Sequence, residues 1–152
     1  MSVRPAIRDD VGALGLIAEA SGLFPAHYLP EMIEPTLAGG SDIWRVFDDG
    51  TGPAGFSFAT LEELTDRLWN ILALAVHSGA RRRGIGRELL SAAEAAMPDA
   101  RMILIETTQL PDQAAARALY LQSGYEEEGR VRDFYGDGED KVIFRKNLGG
   151  EA

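Results

Sequence analysis

The chain has 152 residues, 45% of them hydrophobic and 26% charged, which is enough for one compact domain and too few for two comfortable ones. A formal net charge of -9 disfavours nucleic acid and anionic membrane as partners, because the overall field repels both, and it tolerates a cationic small molecule. The absence of cysteine excludes a disulfide framework and a thiolate metal site, the start MSVRPAIRDD lacks the apolar core of a signal peptide, and the run ILALAV is far too short to span a bilayer, so the expectation is a cytoplasmic protein.

In chain order, Val3 to Ile7 are predicted as a first strand, and DDVGALGLIAEA as a helix with Asp9 or Asp10 as its cap. FPAHYLPEMIEPTLAGG is predicted as an irregular helix that Pro25 starts, Pro30 and Pro35 interrupt and Gly39-Gly40 ends. IWRVF and AGFSFAT flank the polar turn DDGTGP and predict an antiparallel hairpin, and RLWNILALAV follows as a longer, mostly buried strand. A helix from Gly84 to about Met97 places Ile85, Leu89 and Ala93 on one face before Pro98 stops it. RMILIETT is the next strand, and DQAAARALYLQSGY is a helix closing with Gly124 in the left-handed conformation and Tyr125 as apolar follower. RVRDFYGDGEDKVIFRK predicts two strands around a Gly-Asp turn. The domain expectation is a single domain over residues 1–148 with a frayed tail at 149–152.

The stretch VHSGARRRGIGRELL is the informative one. Arg81, Arg82, Arg83 and Arg87 surround Gly84 and Gly86 where an apolar strand gives way to an amphipathic helix. A helix start offers backbone N–H groups without intrahelical partners and partial positive charge. Glycines let a phosphate approach, and arginines add forked donors, so the segment reads as a pyrophosphate cradle rather than a turn with solvated arginines. No Lys-Ser or Lys-Thr follows, which disfavours a P-loop, and Leu89 stands where a dinucleotide fingerprint wants Gly or Ala.

Arg81-x-x-Gly84-x-Gly86 resembles the cofactor motif Q/R-x-x-G-x-G/A of the GNAT family of N-acetyltransferases. The likeness extends through IRDD, LALAV, MILIETT and ARALYLQSGY, the last similar to the family's A-x-x-L-Y-x-x-x-G-F/Y segment. The resemblance implies a mixed α/β fold with a twisted sheet of six or seven strands, helices on both faces, and two central parallel strands that splay apart. It implies acetyl-CoA as co-substrate, its pyrophosphate held by amides around Arg82 to Arg87, including Ile85. The backbone of Leu74, Ala75 and Val76 would pair with the pantetheine arm like an added strand. Gln113 stands among the cofactor-binding candidates, at a place where the family often has Asn.

Tyr120 matches the family's helix tyrosine and is the candidate general acid for the leaving thiolate, though a half-buried packing role beside Ala116 accounts for it as well. The oxyanion would be met by a backbone N–H near Leu74 to Val76. Asn70 falls where some relatives carry a catalytic Glu; it accepts no proton, but it could orient a water that relays to Glu62 or Glu63, or the amine could bind already neutral. His77 reads as cofactor-side or structural. His27, Tyr28 and Phe24, like Asp133, Phe134 and Tyr135, divide between acceptor contacts and ordinary packing, while Trp44 and Trp69 read as core.

No His/Asp/Glu cluster has metal-ligand spacing, so no metal is expected. The implied reaction is direct transfer from acetyl-CoA to a primary amine, since no cysteine exists to hold the acetyl group. The carboxylates at 62, 63 and 66 favour a small cationic amine, with a peptide or protein amine as alternative and a monomer or homodimer as assembly. The rivals are a non-catalytic acyl-CoA sensor, for which Asn70 speaks, and a protein whose ARRRGIGR segment docks an acidic partner. An RNA-modifying relative is opposed by the acidic balance.

Overall fold

The computed structural model describes residues 2–80 and 84–149. Strands β1 (Ser2–Pro5), β2 (Ile43–Asp48), β3 (Pro53–Leu61), β4 (Leu68–Val76), β5 (Met102–Thr107), β6 (Glu126–Gly136) and β7 (Glu139–Asn147) form one mixed sheet in the order β1-β2-β3-β4-β5-β7-β6. Among the described residues the α-helices are α1 (Val11–Ala20), α2 (Leu29–Leu37), α3 (Ile85–Ala95) and α4 (Ala114–Gln122). No helix among these residues is long and apolar enough to cross a membrane. Arg81, Arg82 and Arg83 lie outside the described residues, as do residues 150–152.

The chain divides into two units, one of Met1–Leu61 with Leu72–Pro98 and one of Glu62–Ile71 with Asp99–Ala152. In the first unit the period-2 alternation of the strands sorts apolar side chains to two faces. Trp44, Val46, Phe56, Phe58, Ala73 and Ala75 pack with Leu14 and Ile17 of α1 and Leu29 and Ile33 of α2. On the other face Phe47, Ala54 and Ala80 meet Ile85 and Leu89 of α3, with Leu74 and Val76 packed against them. Helices thus cover both faces here. Gly55 permits the close seat of α3: a Cβ there would stand 2.9 Å from the Ala75 carbonyl oxygen and 3.0 Å from Leu89 Cδ1.

Two sequence expectations change in this unit. Asp10 stands at the N-cap of α1 without bonding its amides. Its carboxylate instead accepts from Arg4 Nη1 and Nη2 at 2.8 and 2.9 Å and from the Ile7 N–H at 2.8 Å. Pro30 does not interrupt α2 but sits in its first turn, where a missing N–H costs nothing, and Pro35 lies inside the helix.

In the second unit β4 and β5 pair in parallel over Leu68–Ile71 with Met102–Ile105, and β7 pairs antiparallel with β5 on one side and β6 on the other. Gly124 has a φ of +94°, as expected for the end of α4, and the Tyr125 N–H returns to the Tyr120 carbonyl at 3.0 Å. Arg117 ties the loop before α4 by donating to the carbonyls of Thr108 and Leu110 at 2.6 and 2.9 Å. Trp44 is buried as expected, whereas Trp69 is only half-buried.

Candidate active site

In the first unit β4 ends in a 3-10 turn at Ser78–Ala80 that leads toward α3. The His77 N–H donates to the Ala54 carbonyl at 2.7 Å, and His77 Nδ1 accepts the Gly79 N–H at 3.0 Å. That second bond ties the His77 ring into the turn. Gly84 is the N-cap of α3, with φ +77°, and no side chain caps the helix. Glycine at the cap offers no side chain to the first turn of the helix. A Cβ at Gly84 would meet nothing within 4 Å, so this residue itself stands in open space. Buried Ile85 and Leu89 anchor the helix. Such a helix start fits a diphosphate.

Leu74, Ala75 and Val76 lie on β4 past its last ladder pair with β5, Ile71 with Ile105. Their side chains are taken up by the two apolar clusters of this unit, which leaves the backbone as their contribution to any ligand. His27 and Tyr28 are exposed and meet edge-on at 4.8 Å.

In the second unit Tyr120 is 3% exposed, so the half-buried environment expected for it is corrected to a full burial. Its ring meets Phe144 at 5.5 Å and Tyr125 at 6.4 Å. Burial, with a smaller contribution from Tyr135, pushes the phenol well above its ordinary range, so it stays protonated at neutral pH and is a donor. Gln113 is the N-cap residue of α4, and its Oε1 accepts from Thr107 Oγ1 at 3.4 Å.

Asn70 is buried, 8% exposed, and its Nδ2 donates to Glu62 Oε1 at 3.1 Å. Its Oδ1 is buried without a donor among the described residues. Glu63 is exposed, and Asp66 is paired with Arg67 at 3.0 Å and Arg101 at 3.5 Å, so Asp66 adds little field for a cationic ligand.

Sequence reasoning missed a third group in this unit. Glu106 Oε2 pairs with Lys141 Nζ at 2.9 Å, both side chains largely buried, and Glu106 Oε1 accepts the Tyr135 hydroxyl at 3.3 Å. Lys141 Nζ also sits 4.4 Å from the Phe134 ring centroid, and Phe134 and Tyr135 meet edge-on at 5.0 Å. Burial first, then the Glu106 charge, pushes the Tyr135 phenol up. Asn70 lies opposite Leu104, and Glu106 is two residues on, so the alternation of β5 puts Glu106 on the face that carries Asn70. One signal was available: a lone glutamate in IETT, at the period-2 position following Leu104 in an otherwise apolar strand.

A family model described as the acetyltransferase (GNAT) domain matches residues 39–127. The chain belongs to this family. It is a GNAT-type N-acetyltransferase with the GNAT fold. A structure from Desulfovibrio desulfuricans assigned to the GNAT family is similar at TM-score 0.83 and 22% identity, over 96% of this chain and 98% of that one. The ribosomal-protein-alanine N-acetyltransferase of Brucella melitensis is similar at TM-score 0.79 and 22% identity, over 97% and 100%. An aminoglycoside 6'-N-acetyltransferase complexed with coenzyme A is similar at TM-score 0.81 and 17% identity, over 100% and 99%. No curated protein matches the chain by sequence.

Proposed function

We propose that this GNAT enzyme transfers the acetyl group of acetyl-CoA directly to a primary amine, a small cationic amine being favoured over a peptide or protein amine. The observation that supports the reading is the start of α3 behind Gly84, a left-handed glycine in open space that brings no capping side chain to the helix. Gly84, Ile85, Gly86 and Arg87, with Arg81, Arg82 and Arg83 before them, would hold the diphosphate. The backbone of Leu74–Val76 would bind the pantetheine arm as an added strand. Acetyl-CoA supplies an acyl group activated as a thioester. The chain supplies a protonated phenol at Tyr120 for the departing thiolate, and direct attack is the route because the sequence holds no cysteine to carry an acyl intermediate.

The favoured acceptor class follows from charge. Glu62 and Glu63, in a chain of net charge -9, favour a cation. Among the neighbours, one bears the name of an aminoglycoside enzyme and another that of a ribosomal-protein-alanine enzyme, so both acceptor classes enter the test. Thiol release from acetyl-CoA is to be followed over a panel of amines that includes polyamines, aminoglycosides and short peptides, with calorimetry for coenzyme A. Binding and release well above hydrolysis are expected, fastest with a small polycation. Absence of coenzyme A binding would remove the reading, and binding without release for any amine would leave an acyl-CoA sensor.

A further inference from the structure

We propose that Glu62 is the proton acceptor for the incoming amine and that Asn70 positions both, its Nδ2 holding Glu62 and its Oδ1 accepting an N–H from the amine. The proposal rests on the transfer reading above and adds the proton route, with Glu62, Asn70 and Tyr120 all in the second unit.

The first support is the unfilled acceptor. Asn70 Oδ1 is buried, has no donor among the described residues, and an orphan of this kind is destabilising unless a ligand or water fills it. Its orientation is not arbitrary. A carboxylate only accepts, so the nitrogen of the amide must face Glu62 Oε1 at 3.1 Å, and a flipped amide would set two acceptors against each other. The unpartnered oxygen is thereby a fixed feature of the Asn70–Glu62 pair.

The second support is a comparison of carboxylates. Both oxygens of Glu106 are engaged, Oε2 by Lys141 at 2.9 Å and Oε1 by the Tyr135 hydroxyl at 3.3 Å. Glu62 has no cation partner among the described residues, and its interaction with Asn70 uses one oxygen. Glu62 is therefore the carboxylate with room to receive a proton.

The protons balance. An amine arriving as an ammonium gives one proton to Glu62 and becomes a nucleophile. Its nitrogen forms a bond to the thioester carbonyl carbon, and the carbon–sulfur bond breaks. The thiolate takes the phenolic proton of Tyr120, the second proton shed by the nitrogen restores Tyr120, and Glu62 releases its proton to solvent. One proton leaves per acetyl group transferred.

The test uses the full chain with acetyl-CoA and two acceptors, spermidine and trialanine, comparing Glu62→Gln, Asn70→Ala and Glu106→Gln. We expect Glu62→Gln to lower kcat/KM about 100-fold at neutral pH, with acetyl-CoA affinity unchanged. The defect should shrink as pH rises past the pKa of the acceptor, about 8 for the peptide amine, because the amine then arrives already neutral. Asn70→Ala should raise KM for the acceptor more than it lowers kcat.

Crystals of the wild type soaked with spermidine give a readout independent of turnover: a nitrogen within hydrogen-bond distance of both Asn70 Oδ1 and Glu62 is expected. Full activity of Glu62→Gln, a defect that ignores pH, a pH-dependent defect that appears in Glu106→Gln instead, or a spermidine nitrogen seated elsewhere would each overturn the assignment. A wild type that turns over while Glu62→Gln does likewise removes only the proton route. A wild type that never releases thiol removes the transfer reading itself.

Discussion

The Tyr120 ring meets the Phe144 ring edge-on at 5.5 Å, so the packing of the candidate acid depends on its ring and not on its hydroxyl. Tyr120→Phe preserves that contact and removes only the proton. The expected outcome is a kcat lower by about 100-fold with the dissociation constant for acetyl-CoA nearly unchanged. Steady-state thiol release and calorimetry on the same preparation check it, and a variant with wild-type kcat would take Tyr120 out of the chemistry.

Gly84 adopts φ +77° in open space, so a larger residue there meets backbone strain and no clash. Gly84→Ala should cost about 1–2 kcal/mol, a drop in Tm of a few degrees, with Gly84→Asn losing less because asparagine tolerates this conformation. Coenzyme A affinity should fall about tenfold, as relief of the strain re-aims the first amides of α3. Thermal melts with and without coenzyme A separate the two effects.

Gly55 is the opposite case, where the conformation is ordinary and the space is absent. A methyl group placed 2.9 Å from the Ala75 carbonyl oxygen and 3.0 Å from Leu89 Cδ1 must push β3 and β4 apart locally and shift the Leu89 side chain, at a cost of about 1–3 kcal/mol. Denaturant titration of Gly55→Ala should show a lower midpoint at an unchanged slope.

Asp10 should make acid stability titratable. The paired Arg4 guanidinium, aided by the Ile7 N–H and opposed by burial, holds the Asp10 carboxyl below the usual carboxylate range. A depressed folded-state value means the stabilisation is complete above the unfolded value of about 3.9 and disappears as pH falls through the folded one. Asp10→Asn should therefore cost about 2 kcal/mol at neutral pH, since Arg4 keeps Asp48 at 3.1 Å, and progressively less in acid. Melting curves of both proteins across the acid range check the convergence.

The parts legible in the sequence are those with local causes. The spacing Arg81-x-x-Gly84-x-Gly86 located a helix start, because a positive φ and an uncapped turn are properties of a few consecutive residues. Gly124 and Tyr125 marked the end of α4 for the same reason. What escaped depends on pairing across the chain. Glu106, Tyr135 and Lys141 come together only through the register of β5, β6 and β7, and no window of sequence contains all three. The hydrogen bond of Asn70 to Glu62 was half legible: both residues drew notice, but the orphaned Oδ1 depends on what packs around it. Asp10 stands at the predicted cap position, but its bonding was not legible, since a cap and an ion-pair partner look alike until Arg4 is placed beside them.

Among the described residues strand β6 pairs with β7 alone and is exposed along almost all its length, which would ordinarily offer its outer row of peptide groups to any extended polypeptide. Its pairing slips between Glu127 and Gly129 and again between Val131 and Gly136, and Asp133 turns the chain through a φ of +57°. With Glu126, Glu127 and Glu128 at one end and Arg130 and Arg132 in the middle, the outer rim is neither straight nor neutral. A flat foreign strand finds no continuous template on it. The irregularity that sets Phe134 and Tyr135 in place thus also guards the enzyme against fibrillar self-association.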